Sequence, residues 1–281
     1  MTDRRTFLRA VGAAAGTMAL GWPPLSVEIK EKSRRLERIG LQLYTVRDLM
    51  DKDFEGTLKD VAAIGYKEVE FAGYYGRSPR EVRAQLNRLG LSSPAAHIGV
   101  DTLTKDWEKT IENGKVMGHK YLIVAYIDEK QRTLDDFKRF ADLFNKAGET
   151  ARKADVHLGY HNHDFEFKPT DGQLPYDVLL ERTDPKLVKL EMDLFWITNG
   201  GQSPFTYFNK YPGRFVAVHV KDRTSDGQMV DVGKGNIDFA KIFAQRDKAG
   251  IKYFFVEHDK PEPSALGSVK ASYEYLKQLR F

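Results

Sequence analysis

The chain has 281 residues, 41% of them hydrophobic, no cysteine and a formal net charge of +4. A core of single-domain size can be buried at this length, and the absence of thiols excludes disulfides, thiolate catalysis and thiolate metal sites. Arg4, Arg5 and Arg9 less Asp3 supply +2 of the charge (three minus one), and the +2 that remains calls for neither nucleic acid nor an anionic membrane.

At the N-terminus Arg4-Arg5-Thr6-Phe7-Leu8 precedes an apolar, small-residue stretch from Val11 to Leu20, the pattern of a twin-arginine export signal. Its apolar part is about ten residues, short of the roughly twenty that span a bilayer, so no membrane span is expected. Residues 1–30 are therefore read as signal and linker, with the mature start between Gly21 and Lys30, and residues 36–281 as one catalytic domain. The expected location is the periplasm. Because the twin-arginine route carries folded proteins, a metal would be taken up before export.

Eight short apolar runs follow: Ile39–Tyr44, Glu68–Phe71, Ser93–His97, Tyr121–Ala125, His157–His161, Val188–Asp193, Phe215–Val220 and Tyr253–Glu257. Helical patterns separate them, as in Leu134–Ala154, where Leu134, Phe137, Phe140, Ala141, Phe144 and Ala147 recur at three-to-four spacing. Gly65, Gly90, Gly118 and Gly250 fall just before runs, where a helix-to-strand loop needs a left-handed residue. Strict alternation predicts a parallel α/β sheet, and eight units in about 250 residues predict closure into a single (β/α)8 barrel. No dinucleotide-binding glycine motif follows any run, and Gly233-Lys234-Gly235 reads as loop geometry.

Four polar residues close the later runs at spacings of 32, 26 and 38: His161, Asp193, His219 and Glu257. Two imidazoles and two carboxylates at neighbouring strand ends suit one divalent manganese, cobalt, nickel or zinc ion with positions open for a ligand. Strand alternation pairs His161 with His163, Glu191 with Asp193 and His219 with Lys221, so His163 is an alternative ligand, and Glu191 is either a supporting partner or a salt bridge. The earlier runs bring Gln42, Tyr44, Arg47, Glu70, His97 and Tyr126 to the same end. His97 is read either as a hydrogen-bonded structural residue or as a substrate contact. Trp107, Tyr74, Tyr75 and Trp196 could form an apolar platform for a sugar ring; His258 is expected on the exterior and His119 in a structural role.

The eight units together with HNHDFEF, MDLFW, VHVKD, VGKGNIDF and VEHD resemble the sugar phosphate isomerase/epimerase superfamily of xylose isomerase-like TIM barrels, and within it the exported branch, from Arg38 to Phe281. The resemblance implies a metal held by His161, Asp193, His219 and Glu257, chelation by vicinal sugar oxygens, and enolisation beside a carbonyl. One position departs from the pattern. Many epimerases of the superfamily carry a glutamate on the fifth strand as ligand and base, where this chain has His161, and a metal-bound imidazole is a poor proton acceptor. The HNH segment resembles instead inosose dehydratases and enzymes that eliminate the aglycone from 3-keto-glycosides.

The expected activity is that of a metal-dependent sugar isomerase/epimerase-like enzyme, with a dehydratase or 3-keto-glycoside lyase as the alternative outcome of the same enolisation. Glu257 is the expected base, Glu70 or His163 the second proton-handling group, and Lys221 the contact to an oxyanion or leaving group, with His97, Tyr44, Tyr126, Glu191 and Trp196 around the substrate. The expected partner is a small sugar or keto-glycoside, without nucleic acid or membrane, and a homo-oligomer is compatible. A metal-dependent nuclease would need more ligands and a basic surface; a non-catalytic sugar-binding protein would lack the base.

Overall fold

The computed structural model describes residues 33–281, so the expected export signal and cleavage region lie outside the described residues. Its strands are β1 (Gly40–Gln42), β2 (Glu68–Phe71), β3 (Ser92–Ile98), β4 (Tyr121–Val124), β5 (His157–His161), β6 (Val188–Asp193), β7 (Phe215–Val220), the short pair β8 (Asp222–Arg223) and β9 (Met229–Val230), and β10 (Tyr253–Val256). Eight of these close a parallel barrel in the ring order β1-β10-β7-β6-β5-β4-β3-β2, while β8 and β9 form a separate antiparallel hairpin. The expected barrel is thus observed, with run boundaries that differ by one or two residues. At the first run the chain leaves the sheet after Gln42 and turns through a 3-10 segment, Leu43–Val46.

Local chemistry accounts for the helices that clothe the barrel. Thr133 and Asp136 form a reciprocal capping box at the start of helix Leu134–Lys153, whose buried face carries Phe137, Phe140, Ala141, Phe144, Ala147 and Ala151. Ser78 and Glu81 cap Pro79–Leu89 in the same way, and Gly90 ends that helix with φ 66°, open to glycine without a Cβ penalty. Arg34 and Phe281 exchange two backbone hydrogen bonds of 2.6 and 3.1 Å, joining the two ends of the domain. Among the described residues no helix is long and apolar enough to cross a membrane.

Inside the ring the lower level is apolar. Ala95, Tyr121, Ile123, Val216, Ala217 and Phe255 form their own buried cluster. A Cβ on Gly40 would stand 2.4 Å from the Phe255 ring, and one on Gly159 2.9 Å from Ile123, so these glycines leave room for their larger neighbours. The level above is polar. Register shifts interrupt the ladders between Glu68 and Glu70 and between Leu190 and Glu191, next to two of its members.

The glycine-rich loop proves to be scaffolding. The Asp222 carboxylate accepts N–H bonds from Gly233 (2.9 Å), Gly235 (2.9 Å) and Ile237 (3.2 Å), and a Cβ on Gly235 would lie 2.2 Å from Asp222 Oδ1. Its donors are spent on that carboxylate rather than aimed at a ligand.

Candidate active site

At the carboxyl end of the strands His161, Asp193, His219 and Glu257 each offer one ligand atom, all within 4.8 Å of one another and all buried. β5, β6, β7 and the residue after β10 supply them, and the register sets Asp193 directly beside His219. Protonation follows from the partners of each ring. His219 Nε2 lies 2.7 Å from Glu70 Oε2 and 3.1 Å from Glu191 Oε2, and its Nδ1 lies 2.7 Å from Glu257 Oε2; burial alone would lower its pKa, but Glu191 and Glu257 drive it well above the ordinary value, so the imidazole is charged and its Nδ1 would give up a proton to a metal. His161 Nδ1 lies 3.3 Å from the carbonyl of Ala125, which leaves the lone pair on Nε2. Both imidazoles therefore turn one ring nitrogen toward the two carboxylates, His161 Nε2 toward Asp193 and His219 Nδ1 toward Glu257.

This arrangement fits a cation. His161 Nε2 stands 3.3 Å from Asp193 Oδ2, close to the edge of roughly 3.3 Å that ligands about 2.0–2.1 Å from a tetrahedral ion would make. His219 Nδ1 is buried, and its nearest acceptor is the Glu257 oxygen 2.7 Å away. Two nitrogens and two oxygens suit the divalent ions expected from the sequence.

Lys221 is the second cation of the cluster, beside His219. Its Nζ lies 2.7 Å from Glu257 Oε2, 2.8 Å from Asp259 Oδ1 and 3.1 Å from Asp193 Oδ2. Burial alone would lower its pKa, but Asp193, Glu257 and Asp259 together drive it well above the ordinary value, so the ammonium stays charged. Burial would likewise raise the Glu257 carboxyl, yet Lys221 and His219 hold it well below the usual carboxylate range. One ammonium faces three carboxylates.

A cavity of about 760 Å³ opens onto this cluster, with His97, His161, His163, Lys221 and Glu257 at its base and Tyr44 and Tyr126 among its outer residues. Burial, with His161 beside it, pushes the His163 imidazole down to about 2, so it is neutral, and its buried Nδ1 has no hydrogen-bond partner among the described residues. His97 lines the wall and also bonds Glu191 Oε2 at 2.7 Å, so both roles considered for it meet in one residue.

Several expectations need correction. Glu70, expected to handle a proton, is fully buried behind His219, where Gln42 Nε2 donates to it at 2.7 Å; it does not line the cavity. Glu191, expected near substrate, is fully buried between His97 and His219 and acts as their acceptor. Trp196 stands 5.6 Å from His163, outside the cavity lining. The aromatic platform does not form: Trp107 donates to the carbonyl of Ala147 at 3.0 Å inside the helical layer, Tyr74 bonds His119 at 2.9 Å, and Tyr75 packs 5.9 Å from Phe54. His258 is buried at 8% exposure, its backbone N–H bonded to Thr45 Oγ1. His119 is structural as expected, bonded also to the carbonyl of Ser93.

Three contributors were missed. Asp259 shares Lys221, and its spacing of two from Glu257 was the available signal. Asn162 accepts from the Asp193 N–H at 3.2 Å. Glu166 accepts from Tyr160 Oη at 2.6 Å and from the His163 N–H at 2.9 Å, fixing the segment after β5. Burial pushes the Glu166 carboxyl up to about 8.

Comparison with known proteins extends this picture. A model of the xylose isomerase-like TIM barrel family matches residues 58–279. The chain is 24% identical over 250 residues to an inosose dehydratase of Lacticaseibacillus casei, covering 75% of this chain and 83% of that protein. It is 26% identical over 266 residues to an inosose dehydratase of Geobacillus kaustophilus, covering 79% and 84%. Among solved structures it is similar to a sugar phosphate isomerase/epimerase from Parabacteroides distasonis, at 29% identity and a TM-score of 0.76, covering 86% of this chain and 98% of that one.

Proposed function

Because the chain belongs to the xylose isomerase-like TIM barrel family, we propose that it is a divalent-metal-dependent carbon–oxygen lyase that removes the proton beside a sugar carbonyl and expels a β leaving group from a keto-sugar or 3-keto-glycoside. One observation carries the reading. Of the four ligand residues only His161 and Glu257 reach the cavity wall, so a single carboxylate of the cluster faces the substrate, and the other carboxylates of the lining are engaged elsewhere: Asp259 by Lys221, Asp101 by Lys105 and Asp128 by the Lys130 N–H. Elimination needs one base of that kind, whereas two-base inversion needs a second on the opposite face. The relatives named inosose dehydratase support the same class.

His161, Asp193, His219 and Glu257 would hold the metal, which supplies Lewis-acid polarisation of the carbonyl when bound. The remaining chemistry belongs to the chain. The contacts of Glu257 fall on Oε2, which leaves Oε1 to take the proton from the carbon next to the carbonyl. As the carbon–oxygen bond at the β position breaks, its electron pair leaves on oxygen. The charged Lys221 ammonium donates a proton to that oxygen, and the neutral His163, with Nδ1 free, is the second group able to carry one. One proton is removed and one returned, and the products are an unsaturated keto sugar and an alcohol. Epimerisation of a free keto-sugar is the second reading, favoured by the Parabacteroides structure.

Incubation with a 3-keto-glycoside should release the aglycone and an enone absorbance. Glu257→Gln should slow this by about a hundredfold or more, with metal content measured in the same variant because the substitution touches both functions. Stereochemical inversion and deuterium uptake in a free keto-hexose, with no aglycone release, would establish the epimerase instead. We further propose export to the periplasm, supported by Arg4-Arg5 and tested by cytoplasmic retention of the Arg4→Lys, Arg5→Lys variant.

A further inference from the structure

Among the described residues four large apolar side chains are markedly exposed: Tyr126 at 49%, Tyr44 at 43%, Val116 at 40% and Tyr275 at 37%. Scattered exposed apolar residues are ordinary, and Val116 and Tyr275 lie on helices away from the cavity. Tyr44 and Tyr126 differ, because both line the cavity that opens on the ligand cluster. They follow β1 and β4, three steps apart in a ring of eight strands, and so bound the cavity from two sides.

Each ring is also held in place. The Arg47 guanidinium lies 4.1 Å from the Tyr44 ring centroid and is itself anchored to the carbonyls of Tyr44 (2.7 Å) and Asp259 (3.0 Å). The Arg132 guanidinium lies 4.9 Å from the Tyr126 ring and is anchored to the carbonyl of Ile127 at 3.0 and 2.9 Å, while His163 and Phe165 meet the same ring edge-on at 5.2 and 5.8 Å. Exposed aromatic rings fixed before a ligand arrives have lost much of the entropy that binding would otherwise cost. Their exposure is the expense a pre-organised contact surface carries while empty.

The cavity volume points the same way. About 760 Å³ lies in the upper part of the range of roughly 300–1,000 Å³ that encloses drug-sized ligands, whereas a single sugar ring seated against His161 and Glu257 would leave the outer half unfilled. Ile98, Val100 and Ala125 add apolar surface to the cavity wall. We propose that Tyr44 and Tyr126 form an outer subsite for a planar aromatic aglycone, so that the substrate class is aryl glycosides oxidised at the sugar. This rests on the lyase reading, in which the aglycone is the leaving group and departs from the subsite as a phenol or alcohol.

The test separates binding from turnover. Phenyl and methyl glucosides of the same anomeric configuration, not oxidised and therefore inert to elimination, are titrated calorimetrically into the full protein, with a glucose disaccharide as third ligand. The phenyl glucoside should bind at least tenfold more tightly than the other two. The Tyr44→Ala, Tyr126→Ala double variant should abolish that preference, and Tyr44→Phe, Tyr126→Phe should keep it, since the ring rather than the hydroxyl makes the contact. Equal binding of phenyl and methyl glucosides, tighter binding of the disaccharide, or no phenyl glucoside binding at millimolar concentration would overturn the subsite. A phenyl preference in a protein that never eliminates 3-keto-glucosides would sustain the subsite and remove the lyase reading; equal turnover of phenyl and methyl 3-keto-glucosides would do the reverse.

Discussion

Two levels within the same barrel solve opposite problems. The lower one, with Phe255, Ile123, Tyr121 and Ala217, fills space with carbon, and its demands are volumetric: Gly40 and Gly159 are small because Phe255 and Ile123 are large. The upper one, with Glu70, His97, Glu191 and His219, is as deeply placed but must satisfy donors and charges. His219 and Phe255 sit on adjacent strands as register partners, so one step up the barrel exchanges one rule for the other. A packed floor tolerates any filling of the right shape. The polar level does not, since each oxygen there is paired or awaits a cation.

The sharpest way to break the contrast is to empty one position at each level. His219→Ala removes the group facing Glu70, Glu191 and Glu257, and should lower bound metal from about one ion per chain to less than a tenth while costing about 3–5 kcal/mol from the carboxylates left buried without a partner. Phe255→Ala should cost a similar 3–5 kcal/mol through its cavity but leave metal content near one. Urea denaturation with elemental analysis of both variants checks this, and metal loss in Phe255→Ala equal to that in His219→Ala would erase the distinction.

A smaller effect tests whether the same rule extends to the segment that supports the rim. The Glu166 carboxyl, held at about 8 by burial against an ordinary 4.5, is protonated in the folded chain at neutral pH. Its folded pKa is raised, so the contribution is fully present below pH 4.5 and is lost as pH rises through about 8, at a slope of at most roughly 1.4 kcal/mol per unit. Glu166→Gln cannot ionise and should show a flatter stability profile between pH 5 and 8, although its amide keeps only one of the two acceptors, Oε1 for Tyr160 and Oε2 for the His163 N–H. Parallel profiles for the two proteins would show that Glu166 ionises freely.

Much of the site was legible because strand geometry has a period of two and barrel chemistry gathers at one end of the strands. His161, Asp193, His219, Lys221 and Glu257 all followed from those rules, and Asp259 would have followed had the alternation been carried two residues further. The aromatic residues were misjudged for a different reason. Tyr74 lies on the connection after β2, where no periodicity tells which way a ring turns, while Trp107 opens the helix Trp107–Met117 and belongs to its buried face with Ile111 and Met117, which turns it into the helical layer.

The sequence by itself determined the closed barrel, the strand that carries each ligand and the chemical type of the donor set, because hydrophobic period and residue chemistry are local properties. Only the tertiary structure decided that Glu70 and Glu191 stand behind His219 rather than before the substrate, and that Lys221 shares its charge among Asp193, Glu257 and Asp259. Those relations join strands up to 149 residues apart in the chain, and the register and curvature of the closed ring set their depth.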